Sequence, residues 1–128
     1  MAHFVLEYSS NITRDRLQLQ QLFEKLHTAA KETGIFPYKG IRSRAYACQD
    51  YRIADGNPEH CFLHLSVLIG AGRTDPEKEQ ASKSFFAIYE DHFANCFETR
   101  GVAMSFEMRE LEPVYKFNKN NIQDYLDG

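Results

Sequence analysis

The chain has 128 residues, 43% of them hydrophobic and 26% charged, a balance that supports one packed domain over residues 1–128 and argues against a disordered chain. Fifteen basic side chains stand against 18 acidic ones, a net charge of −3, so the general basic surface that nucleic-acid binding requires is missing. The start, Met1 to Glu7, lacks the basic segment and apolar run of a leader, no stretch approaches the ~20 apolar residues of a membrane span, and Cys48, Cys61 and Cys96 form no Cys-x-x-Cys pair. The expectation is a cytoplasmic protein with reduced, mostly buried thiols, binding neither nucleic acid nor membrane.

In chain order, His3 to Tyr8 alternates, with Phe4, Leu6 and Tyr8 on one face, and predicts a strand. Asn11 to Thr13 offers cap residues for a helix over Arg14 to Thr33, whose apolar positions Leu19, Leu22, Phe23, Leu26, Ala29 and Ala30 keep a helical spacing. Gly34 stops that helix and Pro37 prevents its return. Ile41 to Cys48 is the next strand, carrying the small residues Ser43, Ala45 and Ala47 on the Ile41 face.

After a turn at Asp55-Gly56-Asn57-Pro58 the pattern repeats. Cys61 to Ile69 is a strand with Cys61, Leu63, Leu65, Val67 and Ile69 on one face. Thr74-Asp75-Pro76-Glu77 opens a second helix, with Thr74 and Glu77 spaced for a capping box. Ala81, Phe85, Ile88, Tyr89, His92, Phe93 and Cys96 form its apolar stripe, and Gly101 ends it. Val102, Met104, Phe106 and Met108 alternate along a fourth strand. The tail, 113–128, reads as a short strand around Val114 to Phe117 and a helical turn near Asn121 to Leu126.

The fold class is therefore α+β: two consecutive βαβ units, a pseudo-repeat over 2–50 and 60–112, forming one sheet with both long helices on one face. A sheet covered on one face leaves its other face and its edges open, which predicts an oligomer with a site at the interface.

Two arginines stand in matching places. Arg42 lies at the start of a strand, in Gly40-Ile41-Arg42-Ser43-Arg44, and Arg73 lies where a strand turns into a helix, in Ile69-Gly70-Ala71-Gly72-Arg73-Thr74. A guanidinium fork stays charged and suits a carboxylate or phosphate, and the helix start beside Arg73 adds its own attraction for an anion. Arg44 shares a strand face with Arg42; alternation inside a mainly apolar sheet predicts that Arg42 is buried and needs a partner. Gly70-x-Gly72 lacks the third glycine of a dinucleotide fingerprint, with Asp75 in its place. His60 and His64 can share a strand face, but no third ligand follows at a useful spacing, and structural roles are expected of both. No Gly-x-Ser-x-Gly elbow supports a serine hydrolase.

The ordered set His3-Phe4-x-x-Glu7, Gly34-Ile35-Phe36-Pro37, Gly40 to Arg44, Ala54-Asp55-Gly56, Phe62-x-His64, Ile69 to Arg73, Ser105-Phe106-Glu107 and Asn120-Asn121 resembles the 5-carboxymethyl-2-hydroxymuconate isomerase family across almost the whole chain. The second half is also similar to the shorter 4-oxalocrotonate tautomerases, in which a Gly-Arg-Ser/Thr turn likewise follows a strand and opens a helix. This tautomerase resemblance implies paired βαβ units assembled as a homotrimer, no cofactor or metal, and a small polycarboxylate substrate. It implies proton transfer by an N-terminal proline, freed by loss of the initiator methionine, in the bacterial breakdown of 4-hydroxyphenylacetate. It also implies that Arg42 and Arg73 bind substrate carboxylates and stabilise the developing enolate; Arg44 joins them as an expected substrate-binding residue.

Ala2 stands where the family has its proline. Ala2, Arg42 and Arg73 are accordingly the expected catalytic residues. If Met1 is removed, Ala2 offers a primary amine of ordinary pKa ~7.7–8.0, lowered by burial and neighbouring guanidinium groups toward the working pH of a base. If Met1 stays, the Ala2 nitrogen is an amide and the free amine sits farther out by up to about 3.5 Å. Two alternatives stay open at this point: an anion-binding protein with lost or altered activity, and a related tautomerisation such as that of an arylpyruvate.

Overall fold

The computed structural model describes residues 1–126; the last two positions of the expected tail lie outside the described residues. Four strands, β1 (Ala2–Ser9), β2 (Ile41–Cys48), β3 (Cys61–Ile69) and β4 (Val102–Glu110), form one sheet in the order β2-β1-β3-β4. β1 pairs parallel to β2 and antiparallel to β3, and β3 pairs parallel to β4, so each half is a strand–helix–strand crossover and the halves join along β1 and β3. Period-2 alternation sends Phe4, Leu6, Leu63, Leu65 and Val67 to one face, where all are buried.

That face is covered by the two long helices, α2 (Leu19–Thr33) and α3 (Asp75–His92), each preceded or followed by a single-turn helix, α1 (Arg14–Leu17) and α4 (Cys96–Thr99). α2 buries Leu22, Leu26 and Ala30, and α3 buries Ala81, Phe85 and Tyr89. Phe85 meets Phe4 edge-on at 5.0 Å between ring centroids, locking α3 to the central strand. The expected stop and start signals act as the physics requires. Gly34 ends α2 at φ 74°, a left-handed conformation that costs glycine least. Thr74 and Glu77 satisfy each other's backbone N–H in a capping box at the start of α3.

The structure corrects three expectations. The helix predicted over Arg14 to Thr33 is interrupted at Gln18, which takes a left-handed φ of 45°; its side-chain amide donates to Asp15 O (2.7 Å), and Leu17 is thereby buried separately from the α2 stripe. The helix predicted to run on to Gly101 ends at Phe93, and Cys96 is carried by the separate turn α4. No strand forms around Val114 to Phe117: the segment is irregular, with Val114 and Phe117 exposed, because neither of those side chains meets the core. The helical turn near the end is present, as Ile122–Tyr125. Among the described residues no helix is long and apolar enough to cross a membrane. Cys61 and Cys96 are buried free thiols, and Cys48 is half-buried.

Among the described residues no helix covers the second sheet face. His3, Val5, Arg44, Phe62, His64, Ser66 and Leu68 lie there half-exposed, and Glu7, Arg42, Tyr46, Ser105 and Glu107 exposed.

Candidate active site

The register brings three chain positions to one end of the sheet. Ala2 at the start of β1 pairs with Ile41 at the start of β2 and with Ile69 at the end of β3. Arg42 follows Ile41 directly, and Arg73 stands four residues beyond Ile69, on the turn into α3. Residues 2, 42 and 73, dispersed in sequence, thus share one site because the central strand starts where one neighbour starts and the other ends.

Met1 lies between two glycines. Gly70 N donates to Met1 O (3.2 Å), and a Cβ added to Gly40 would stand 3.5 Å from Met1 Cα. Ala2 is fully buried, and with Met1 in place its nitrogen is an amide. The free amine is that of Met1, half-buried, and its pKa lies below the ordinary value of 8.0. Burial is the largest cause, followed by the positive charges of Arg73, Lys116 and Arg42.

Arg73 is held as a fixed fork. Its Nε and Nη2 donate to Ile35 O (3.0 and 2.6 Å), its Nη1 donates to Gly70 O (2.7 Å), and its guanidinium stacks over the Phe36 ring at 4.5 Å from the centroid. Three of the five N–H donors are thereby spent on orientation, and two remain for an anion. The turn Gly34-Ile35-Phe36-Pro37 therefore has a function: it supplies the carbonyl and the ring that aim Arg73.

Arg42 sits opposite His3 in the sheet register, on the uncovered face. It is exposed, which corrects the expectation of a buried guanidinium: β2 is an edge strand, and the face Arg42 joins has no layer over it. Arg44 is the half-buried one. Its Nη1 stands 3.2 Å from His3 Nδ1, which accepts as a neutral imidazole. The His3 pKa is held below 6.5 by burial first, then by Arg42, Arg44, the amine and Lys116. Next to Arg42 opens a cleft of about 520 Å³ lined by His27, Tyr38, Lys39, Ile41, Asn120 and Asn121 among others. Among the described residues every ion pair involves Lys78, Lys83, Arg109, His60 or His64, so Arg42, Arg44, Arg73 and Lys116 have no carboxylate partner. In a net-acidic chain this uncompensated cluster attracts anions.

His60 and His64 stand away from this site. His60 Nε2 contacts Asp55 Oδ1 (2.9 Å), and Gly101 leaves room for its ring, since a Cβ there would lie 2.6 Å from Nδ1. His64 Nδ1 contacts Ser105 Oγ (2.6 Å) on the uncovered sheet face.

A family model, described as 5-carboxymethyl-2-hydroxymuconate isomerase, matches residues 2–126. The chain belongs to this family. It is 40% identical over 122 residues to the 5-carboxymethyl-2-hydroxymuconate Delta-isomerase of Escherichia coli, covering 95% of this chain and 96% of that one. A crystal structure of a 5-carboxymethyl-2-hydroxymuconate isomerase from Deinococcus radiodurans R1 superimposes with a TM-score of 0.90 at 36% identity, over 98% of this chain and 95% of that chain. A second structure, of a 5-carboxymethyl-2-hydroxymuconate delta-isomerase, gives 0.88 at 25% identity, over 100% and 95%. The family resemblance and the α+β fold read from the sequence agree with these matches, and the chain is an enzyme of the isomerase type.

Proposed function

We propose that this isomerase moves a proton between oxygen and carbon of an unsaturated 2-hydroxy di- or tricarboxylate, with 5-carboxymethyl-2-hydroxymuconate as the substrate its relatives' names suggest. The observation that carries this reading is the environment of Met1, set between Gly40 and Gly70, where burial and Arg73, Lys116 and Arg42 disfavour the charged form of its amine and stand ready to do the same for an Ala2 amine. Such an amine is a base near neutral pH. It takes the proton from the substrate hydroxyl, and the resulting ammonium returns a proton to the far carbon of the conjugated system, leaving an unsaturated ketone with no net change in oxidation state. The two free donors of Arg73, with Arg42, hold carboxylates and face the charge that grows on the substrate oxygen. In the working enzyme Met1 is removed. The base is then the Ala2 nitrogen, and the volume Met1 fills becomes room for substrate.

The protein works as a homotrimer in the cytoplasm, in the breakdown of 4-hydroxyphenylacetate. Support for assembly comes from the uncovered sheet face and from a tail that leaves Val114, Tyr115, Phe117 and Tyr125 exposed; support for the compartment comes from the free cysteines.

The experiment is a spectrophotometric assay of dienol ketonisation with Met1-free protein. Turnover above buffer that falls by at least about a hundredfold in Arg73→Ala is expected; a rate equal to buffer refutes the reading. A second reading, an anion-binding protein with lost or altered activity, draws on Ala2 standing where the family has its proline. Carboxylate binding without ketonisation in the Met1-free protein would select it.

A further inference from the structure

The tail crosses the site. Leu111 N donates to Ile69 O (2.7 Å) where β3 ends, and Asn120 Nδ2 donates to Lys39 O (2.9 Å) where β2 begins. The segment between these anchors therefore spans the end of the sheet at which β1 starts, over Met1. From Glu112 to Tyr125 every residue is exposed except one, Lys116, which is half-buried. Its neighbours Tyr115 and Phe117 are 83% and 93% exposed, so the long, strongly hydrated lysine turns inward while two aromatic rings face out, the reverse of what solvation alone favours. An ideal Cβ at Gly70 would lie 3.5 Å from Lys116 Nζ and 3.5 Å from Arg73 Nη1. The two cations thus converge on one point, no farther apart than twice that distance, and the side chain that would fill the point is absent. Lys116 has no ion-pair partner among the described residues. An ammonium turned toward a guanidinium and an amine, with no acid between them, is repelled unless an anion joins them.

We propose that Lys116 is a specificity-determining residue of the substrate site, which binds a third carboxylate group beside those taken by Arg42 and Arg73 and so makes the enzyme select tricarboxylates over dicarboxylates. The proposal rests on the reading of this site as a polycarboxylate isomerase site and names the group on the chain that sets the preferred charge of its substrate. The reliance of the Met1 amine and His3 on Lys116 for part of their perturbation agrees with its place at the site.

The test uses the Met1-free full chain and two unreactive probes, tricarballylate with three carboxylates and glutarate with two. Calorimetry on the wild type, Lys116→Met and Lys116→Arg gives the dissociation constants. Lys116→Met is expected to weaken tricarballylate about tenfold, equivalent to about 1.4 kcal/mol, and glutarate by clearly less, so that the preference collapses. Lys116→Arg is expected to keep the preference. In the ketonisation assay, Lys116→Met raises KM for the tricarboxylate dienol more than it lowers kcat. A wild type that fails to bind tricarballylate, a preference unchanged in Lys116→Met, or a preference equally lost in Lys116→Arg overturns the proposal. Wild type that binds tricarballylate with that Lys116-dependent preference, yet does not ketonise, refutes the isomerase reading and leaves this inference standing.

Discussion

Replacing Arg73 by methionine separates the two roles the structure gives it. Arg73 closes the loop before β2 onto the end of β3 through three hydrogen bonds to Ile35 O and Gly70 O, and stacks on Phe36. The side chain is half-exposed, so water replaces part of what is lost. We assign about 1–2 kcal/mol to the two carbonyls together and about 0.5–1 kcal/mol to the ring. For a chain of this size roughly 2 kcal/mol corresponds to a fall in Tm of about 6–10 °C. Removing the charge also relieves the second-largest cause of the low Met1 amine pKa; in the proposed reading the Ala2 amine of the Met1-free enzyme meets the same charge, so the inflection of its pH–rate profile moves up. Arg73→Lys distinguishes the effects. It restores the charge, and with it the low inflection, but a compact ammonium cannot grip two carbonyls and stack at once, so much of the stability loss remains. Thermal unfolding and kcat/KM against pH, on the same three proteins, provide the check. A methionine variant that melts with the wild type and keeps its inflection would refute the assignment of both roles.

In the proposed reading the base is the neutral Ala2 amine, beside the same cations that lower the Met1 amine pKa, so kcat/KM of the Met1-free enzyme rises with pH through an inflection below that of an ordinary α-amine; an inflection at or above that value refutes the electrostatic reading. The same sign governs stability at His3, His27 and His92, whose pKa values all lie below 6.5. Their contribution is full above 6.5 and is lost as pH falls through that value toward their folded pKa values, so Tm measured on a descending pH series falls there. Ala2→Pro in Met1-free protein fixes the nitrogen in a ring and raises kcat by about tenfold or more; an unchanged kcat shows that positioning of this nitrogen is not limiting. Tyr89 is fully buried with no partner for its hydroxyl among the described residues, so Tyr89→Phe keeps the T-shaped packing on Phe86 and Phe93 and raises stability by about 1 kcal/mol in denaturant unfolding. Phe117→Asp together with Tyr125→Asp lowers the assembly mass in light scattering if the exposed tail is a subunit contact; an unchanged mass refutes that placement.

The sequence showed the strands and both long helices because their signals are local: alternation in Phe4, Leu6, Leu63 and Leu65, and caps at Thr13, Gly34 and Thr74. The break at Gln18 left no mark, since glutamine is an ordinary helix former and its left-handed conformation is imposed by the burial of Leu17 on one side and the α2 stripe on the other. Arg42 and Arg73 could be found as cations at strand ends. Which of them is covered could not, because edge and central strands share one alternation and differ only in their neighbours. Lys116 carried no signal at all: its role comes from the path of an irregular tail held by Leu111 and Asn120, contacts distant in sequence. Ile35 and Phe36 were visible only as part of a family motif, and the structure supplies the physical reason for them.

The two ends of the sheet differ in the backbone nitrogen that heads the central strand. Where β3 and β4 begin, Cys61 N donates to Gly101 O (2.9 Å), and the polypeptide arrives there through His60 from the preceding loop. That nitrogen is a peptide amide whose lone pair is delocalised, and it cannot accept a proton. On the proposed function the stoichiometry follows: the base comes from the start of β1 and has no counterpart at the start of β3, so an assembly has one reaction centre for each pair of βαβ units.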